Sequence, residues 1–241
     1  MTPGLLDHLF VIVVLGFVFP VIGWWAYQRF LARLRRTGDA ALLREYQYGL
    51  VWLLALGLAV GALWQGAGRA WPALGLTWGS ASGFALGLTL GALAVLILRP
   101  LTVARSAKAA AALRKSFGRL EVFLPRTTRQ LRWALLLSVF AGLFEELAYR
   151  GYLMAYFGTW LGPWGALAAS SVLFGLAHSY QGVPGMIATA LVGAAFGWVY
   201  LETGSLLLPV LLHAALDISS MTTAWLVLRR EPEAAPAGAT P

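Results

Sequence analysis

The sequence predicts an all-α integral membrane protein: a bundle of about seven transmembrane helices with the amino terminus outside and the carboxyl terminus cytoplasmic. Three observations predict it. Hydrophobic residues make up 59% of the 241 residues and charged residues 12%, where a soluble domain carries roughly 45–50% and about 25%. Seven stretches are long and apolar enough for a hydrocarbon core about 30 Å thick, which takes around 20 residues of helix. Lysine and arginine are concentrated in three segments that such a bundle places on one side.

The apolar stretches are residues 9–27, 46–64, 78–98, 133–149, 161–177, 183–201 and 205–228. The first does not read as a cleavable signal peptide: it has no basic segment ahead of it, it is too long, and a basic loop follows it. Arg29, Arg33, Arg35, Arg36 and Arg44 lie between the first two stretches. Nine cations from Arg99 to Arg132 lie between the third and fourth, and Arg229 and Arg230 follow the last. Of 18 positive charges only Arg69 and Arg150 fall outside these segments, so the net charge of +8 is a topology signal of the positive-inside kind. It also suits contact with anionic headgroups, and it is no argument for nucleic-acid binding. Cysteine is absent, which removes thiolate catalysis, cysteine metal sites and lipidation of the chain itself.

The expected organisation has three parts. Residues 1–132 form amino-terminal membrane helices with basic cytoplasmic loops, residues 133–228 form the membrane domain that carries the chemistry, and residues 229–241, rich in Ala and Pro, form a disordered tail. The basic, Ala-rich run 102–120 reads as an amphipathic helix on the inner membrane surface. Glycines recur every four residues at Gly79, Gly83, Gly87 and Gly91, at Gly57 and Gly61, and at Gly193 and Gly197. Such small-residue ridges let helices pack closely in lipid.

The chemistry belongs where ionisable residues enter apolar stretches. Glu145, Glu146, His178, His213 and Asp217 do so. A carboxylate at the bilayer centre costs roughly 2.5–3.5 kcal/mol on insertion scales, which makes each a functional candidate by default. Glu146 and Arg150 stand four apart with Glu first, the favourable sense for an intrahelical ion pair. Glu145 points about 100° away and is left without a local partner, as a general base is. Phe174 and His178 share a helix face, and so do His213 and Asp217. The last two can bind a metal together, or Asp217 can orient the ring. A set with Glu145, His178, His213 and Asp217 on three helices suits peptide-bond hydrolysis within the membrane.

At these residues the chain resembles the CPBP intramembrane proteases, which include the type II CAAX prenyl endopeptidases and the Abi or bacteriocin-processing proteins. The family signature of EExxxR, FxxxH and HxxxN or HxxxD segments is matched in order by Glu145-Glu146 with Arg150, Phe174 with His178, and His213 with Asp217. The resemblance covers about residues 130–228. It implies that Glu145 activates water beside His178, that His213 and Asp217 complete a metal site or stabilise the oxyanion, and that Glu146, Arg150 and Phe174 support them. It leaves two chemistries open: one divalent metal, such as Zn²⁺ on Glu145, His178, His213 and Asp217, or a metal-free glutamate protease. Asp217, where prenyl endopeptidases prefer Asn, tilts the reading toward a metal or toward an Asp that orients His213, because an ionised Asp cannot donate to an oxyanion.

The implied partner is a membrane-anchored or tail-exposed protein substrate in a lipid bilayer, with no nucleic acid. Whether the substrate is prenylated and whether the chain self-associates are not legible. An Ala-, Leu-, Arg- and Trp-heavy composition points to a bacterial inner membrane. Three other readings compete. Intramembrane Glu, His and Asp also serve proton-coupled carriers, but no inverted repeat is visible. A membrane scaffold or immunity protein has no use for an unpaired Glu145. Residues 79–83 resemble a rhomboid GxSG segment, yet that reading gives Glu145, Arg150 and His213 no work.

Overall fold

The computed structural model describes residues 1–80 and 82–229; the tail expected over 229–241 lies outside the described residues beyond Arg229. The described residues are helical nearly throughout, without a strand. Eight helical elements suffice to place the site: α1 (Leu5–Thr37), α2 (Asp39–Gly66), α3 (Gly83–Arg105), α4 (Ala107–Ser116), α5 (Thr128–Glu146), α6 (Met154–Ala177), α7 (Gly182–Thr203) and α8 (Leu207–Leu228).

Five helical segments are long and apolar enough to cross a membrane: Leu5–Thr37, Asp39–Gly66, Gly83–Arg105, Ser179–Thr203 and Leu207–Leu228. The chain is a multi-pass membrane protein. The other two stretches expected to span are helical, but each departs from a simple span for a physical reason. α5 carries Arg129, Arg132, Glu145 and Glu146, which lower its hydropathy. α6 is broken at Gly162, whose φ of 66° and ψ of −179° are followed by Pro163, a residue without an N–H to continue the ladder. Between α5 and α6 the backbone passes through a π-helical turn, Leu147–Leu153. Turns of this kind release carbonyls from the regular ladder and recur at functional sites. The Tyr149 carbonyl here accepts a hydrogen bond from Ser170 Oγ at 2.6 Å.

The three basic segments meet at one end of the bundle. Phe30, Ala41, Tyr46 and Ala134 pack there with Phe123 and Met221, Val103 and Ala110 pack on Val227, and the Tyr46 hydroxyl donates to the Phe123 carbonyl at 2.5 Å. The opposite end carries Arg69. Its guanidinium forks onto buried Asp7 at 2.8 and 2.6 Å, and Tyr152 Oη donates to the same carboxylate at 2.5 Å. This clasp fastens the start of α1 to the π turn.

α5 is clamped between α2 and α8, while α6 packs along α7 and α3 along α8. Two glycines bring helix backbones together. A Cβ at Gly142 would sit 2.8 Å from Ala214 N and 3.0 Å from the Val210 carbonyl, so α5 and α8 touch backbone to backbone. A Cβ at Gly175 would sit 2.6 Å from the Met186 carbonyl, which does the same for α6 and α7. Gly142→Ala is therefore expected to push α8 away from α5 and destabilise the fold by about 1–3 kcal/mol, read as a lower thermal midpoint in detergent. An unchanged midpoint contradicts the backbone contact.

Two expectations from glycine spacing and amphipathicity need correction. Gly79 is not on the third span. It lies in the loop ahead of it with φ 68°, because Ser82 caps α3 by accepting from Ala85 N at 3.1 Å. Gly83, Gly87 and Gly91 do lie on α3, but among the described residues a Cβ on any of them would meet nothing within 4 Å, so they pack no described helix. The run 102–120 is also not one helix. Ser106 ends α3 and caps α4, accepting from Ala109 N at 3.2 Å.

Candidate functional site

The site grows from the close contact of α5 with α8. Gly142 lets the two backbones approach one helical turn before Glu146, so that Glu146 reaches His213 across the gap. Glu146 is fully buried. Its Oε1 accepts from Arg150 Nη1 at 2.8 Å and from His213 Nδ1 at 2.7 Å. Because Oε1 is an acceptor, the hydrogen between them is assigned to Nδ1, and Nε2 faces the other way.

On that side lie two carboxylates. Glu145 Oε2 and Asp217 Oδ2 are each 3.8 Å from His213 Nε2. These distances are too long for direct hydrogen bonds and short enough for a bridging water. Glu145 and Asp217 are also more open than their neighbours, with side chains 18% and 35% exposed against 8% for His213. One imidazole thus gathers Glu146 on one edge and Glu145 and Asp217 on the other.

His178 joins this group through Phe174. It caps the end of α6, and its Nδ1 donates to the Phe174 carbonyl at 2.8 Å, which leaves Nε2 with a free lone pair. The Phe174 ring, itself buried, lies edge-on to His178 at 4.8 Å, to His213 at 6.0 Å and to Tyr149 at 4.9 Å. The Arg150 guanidinium stacks on it at 4.3 Å. Phe174 is therefore the floor on which the second and third motif histidines stand. No hydrogen bond or ion pair joins His178 to Glu145 among the described residues.

Sequence spacing paired Glu146 with Arg150, and the structure has that pair. Spacing also offered Asp217 as the group that orients His213, and this is corrected: Glu146 holds the ring, and Asp217 stands 3.8 Å off its far nitrogen. The reason is reach. Asp217 lies one turn along the same helix, while Glu146 approaches side-on across the glycine contact. The expected metal set of Glu145, His178, His213 and Asp217 does not fit either. Among the described residues no three His, Asp or Glu side chains are grouped to hold a metal ion.

Two participants escaped sequence reasoning. Gly193 on α7 makes room for the guanidinium, since a Cβ there would lie 2.7 Å from Arg150 Nη2 and 2.9 Å from the Phe174 ring. Its place in a Gly-xxx-Gly pair with Gly197 suggested packing without saying against what. Tyr149 is fully buried against Phe174, and nothing in its spacing marked it apart from its position four residues after Glu145.

No curated protein and no solved structure matches the chain. Residues 127–219 match the family model described as Type II CAAX prenyl endopeptidase Rce1-like. That stretch runs from the cap of α5 to just past Asp217 on α8, and so includes every residue of the cluster on His213. The family is one of intramembrane endopeptidases. The match covers the helices that assemble this cluster, so over residues 127–219 the chain is similar to the type II CAAX prenyl endopeptidase Rce1-like family.

Proposed function

We propose that this chain hydrolyses a peptide bond in a membrane-associated protein, with Glu145 as general base. The observation that carries the reading is the facing of Glu145 Oε2 and His213 Nε2 at 3.8 Å in a buried cluster whose other carboxylate, Glu146, is already committed to Arg150 and to the His213 ring. Glu146 holds structure, which leaves Glu145 free to accept a proton.

The steps follow from the donors and acceptors present. A water donates one hydrogen to Glu145 Oε2 and the other to His178 Nε2. Glu145 takes the first proton as the water oxygen attacks the carbonyl carbon, and the carbonyl π electrons move to oxygen. The oxyanion is met by Nε2–H of His213 in its doubly protonated form, whose Nδ1–H is held by Glu146 and whose positive charge is balanced by Glu146 and Asp217. On collapse the C–N bond breaks, and Glu145 returns its proton to the departing nitrogen. His178 and Asp217 each lie one turn nearer the basic end of the bundle than Phe174 and His213, so the peptide enters from that end, the cytoplasmic side on the positive-inside rule.

Residues 133–228 then carry the catalysis, with α2 packed along α5, α1 against α6 and α3 along α8. The test is a reconstituted sample in phospholipid vesicles, assayed against membrane proteins of the host in H₂¹⁸O. New carboxyl termini carrying ¹⁸O are expected from the native chain, and are expected to be lost with His178→Ala and with His213→Ala. Cleavage that persists in both variants rejects the assignment.

A further inference from the structure

Tyr149 is a residue of this region whose chemistry the mechanism above does not use. Its side chain is 1% exposed, and its hydroxyl has no hydrogen-bond partner among the described residues. Leaving a hydroxyl unpaired in the interior costs stability that phenylalanine at the same place would not cost, and native structures leave few such groups without a reason. The residue is also firmly held. Its carbonyl accepts from Ser170 Oγ at 2.6 Å, and its ring packs edge-on against Phe174 at 4.9 Å, the same ring that seats His178 and His213. It follows Glu145 by four residues, and its hydroxyl lies within electrostatic range of the Glu145 carboxylate and the Arg150 guanidinium.

We propose that Tyr149 is a catalytic residue whose hydroxyl donates a hydrogen bond to the oxyanion formed when water attacks the scissile carbonyl. The inference rests on the reading of Glu145 as general base. No proton is transferred from Tyr149. Its O–H remains intact while the negative charge sits on the former carbonyl oxygen, and the bond is released when the C–N bond breaks. A donor fixed by Ser170 and Phe174 before substrate arrives is preorganised for that charge, and it would stand beside His213 Nε2 as the second donor of the pair. The unpaired state of the hydroxyl in the resting protein is what such a role requires, because a donor already satisfied by a neighbour has to give up that bond to serve the transition state.

The test compares native protein, Tyr149→Phe and Glu145→Gln in phospholipid vesicles on the same cleaved membrane protein. Removal of one oxyanion donor lowers turnover by about 100- to 1,000-fold, so Tyr149→Phe is expected to lose kcat on that scale with KM unchanged. Its thermal midpoint should stay level or rise, because the unpaired hydroxyl has gone. A merely structural tyrosine would lower the midpoint on substitution and leave kcat near native. If cleavage depends on Glu145 while Tyr149→Phe turns over within twofold of native, the role of Tyr149 is overturned and the general base stands. If the native chain shows no cleavage dependent on Glu145, both fall together.

Discussion

Glu145→Gln is expected to abolish peptide cleavage while leaving the amount of folded protein unchanged. Gln keeps the size and the polar tip of Glu but cannot take a proton, and positioned general acid–base groups contribute typically about 10²–10⁴-fold. The larger end applies here, because the same group both removes the proton from water and returns it to the leaving nitrogen. The fold should tolerate the change because Glu145 makes no direct hydrogen bond among the described residues: its contact with His213 Nε2 is 3.8 Å long, and its side chain is partly open. Glu146→Gln, one residue on, replaces an oxygen that serves both Arg150 and His213, and it should damage the fold as well. The check is kcat beside the thermal midpoint for both variants in one lipid. Cleavage by Glu145→Gln within tenfold of native contradicts the assigned role.

Arg150→Ala should do the reverse and act first on stability. Arg150 and Glu146 are both buried, 1% and 0% exposed at their side chains, with 2.8 Å between Nη1 and Oε1. Removing one partner of such a pair leaves an uncompensated charge inside and costs about 3–5 kcal/mol. Whole domains are stable by only about 5–15 kcal/mol, so a large part of the margin goes. The stacking of the guanidinium on Phe174 at 4.3 Å is lost too, and with it the support under His178 and His213. The expected outcome is a small yield of folded protein and a sharply lower midpoint in detergent. A variant that is folded and as stable as native would show that water reaches this pair and that it is not a buried one.

These two variants separate what the residue pattern reveals from what it hides. Spacing exposes partners on one helix, so the Glu146–Arg150 pair is visible four residues apart and the Phe174–His178 face is visible in the same way. It is blind to partners on different helices. His213 lies 67 positions after Glu146, and only the bare backbone at Gly142 brings them together; nothing in the local sequence of either says so. The same blindness made Asp217, the local neighbour, look like the residue that orients His213. Asp7 and Arg69 form their clasp over 62 positions and were invisible for the same reason.

Hydrophobicity placed the helices well where they face lipid and less well where they carry the site. α5 is helical where expected, yet it holds four charged residues that depress its hydropathy because it is an interior helix flanked by α2 and α8. The glycine ridge over residues 79–91 shows the opposite error. A period of four is necessary for a packed ridge but does not supply the facing helix, and in α3 none of the described residues fills it. The metal expectation came from donor types in the right order, but a ligand set also needs those donors grouped in space, and among the described residues no three His, Asp or Glu side chains are so grouped.

The most direct test of the central claim compares protein termini in membranes of cells that carry the native chain with those that carry Glu145→Gln at equal expression. Hydrolysis driven by Glu145 predicts paired new amino and carboxyl termini within membrane-associated proteins, present with the native chain and absent with the variant. Identical sets of termini from the two, with both chains folded and equally abundant, would contradict it and leave the buried carboxylates of α5 and α8 as the working parts of a carrier or a scaffold.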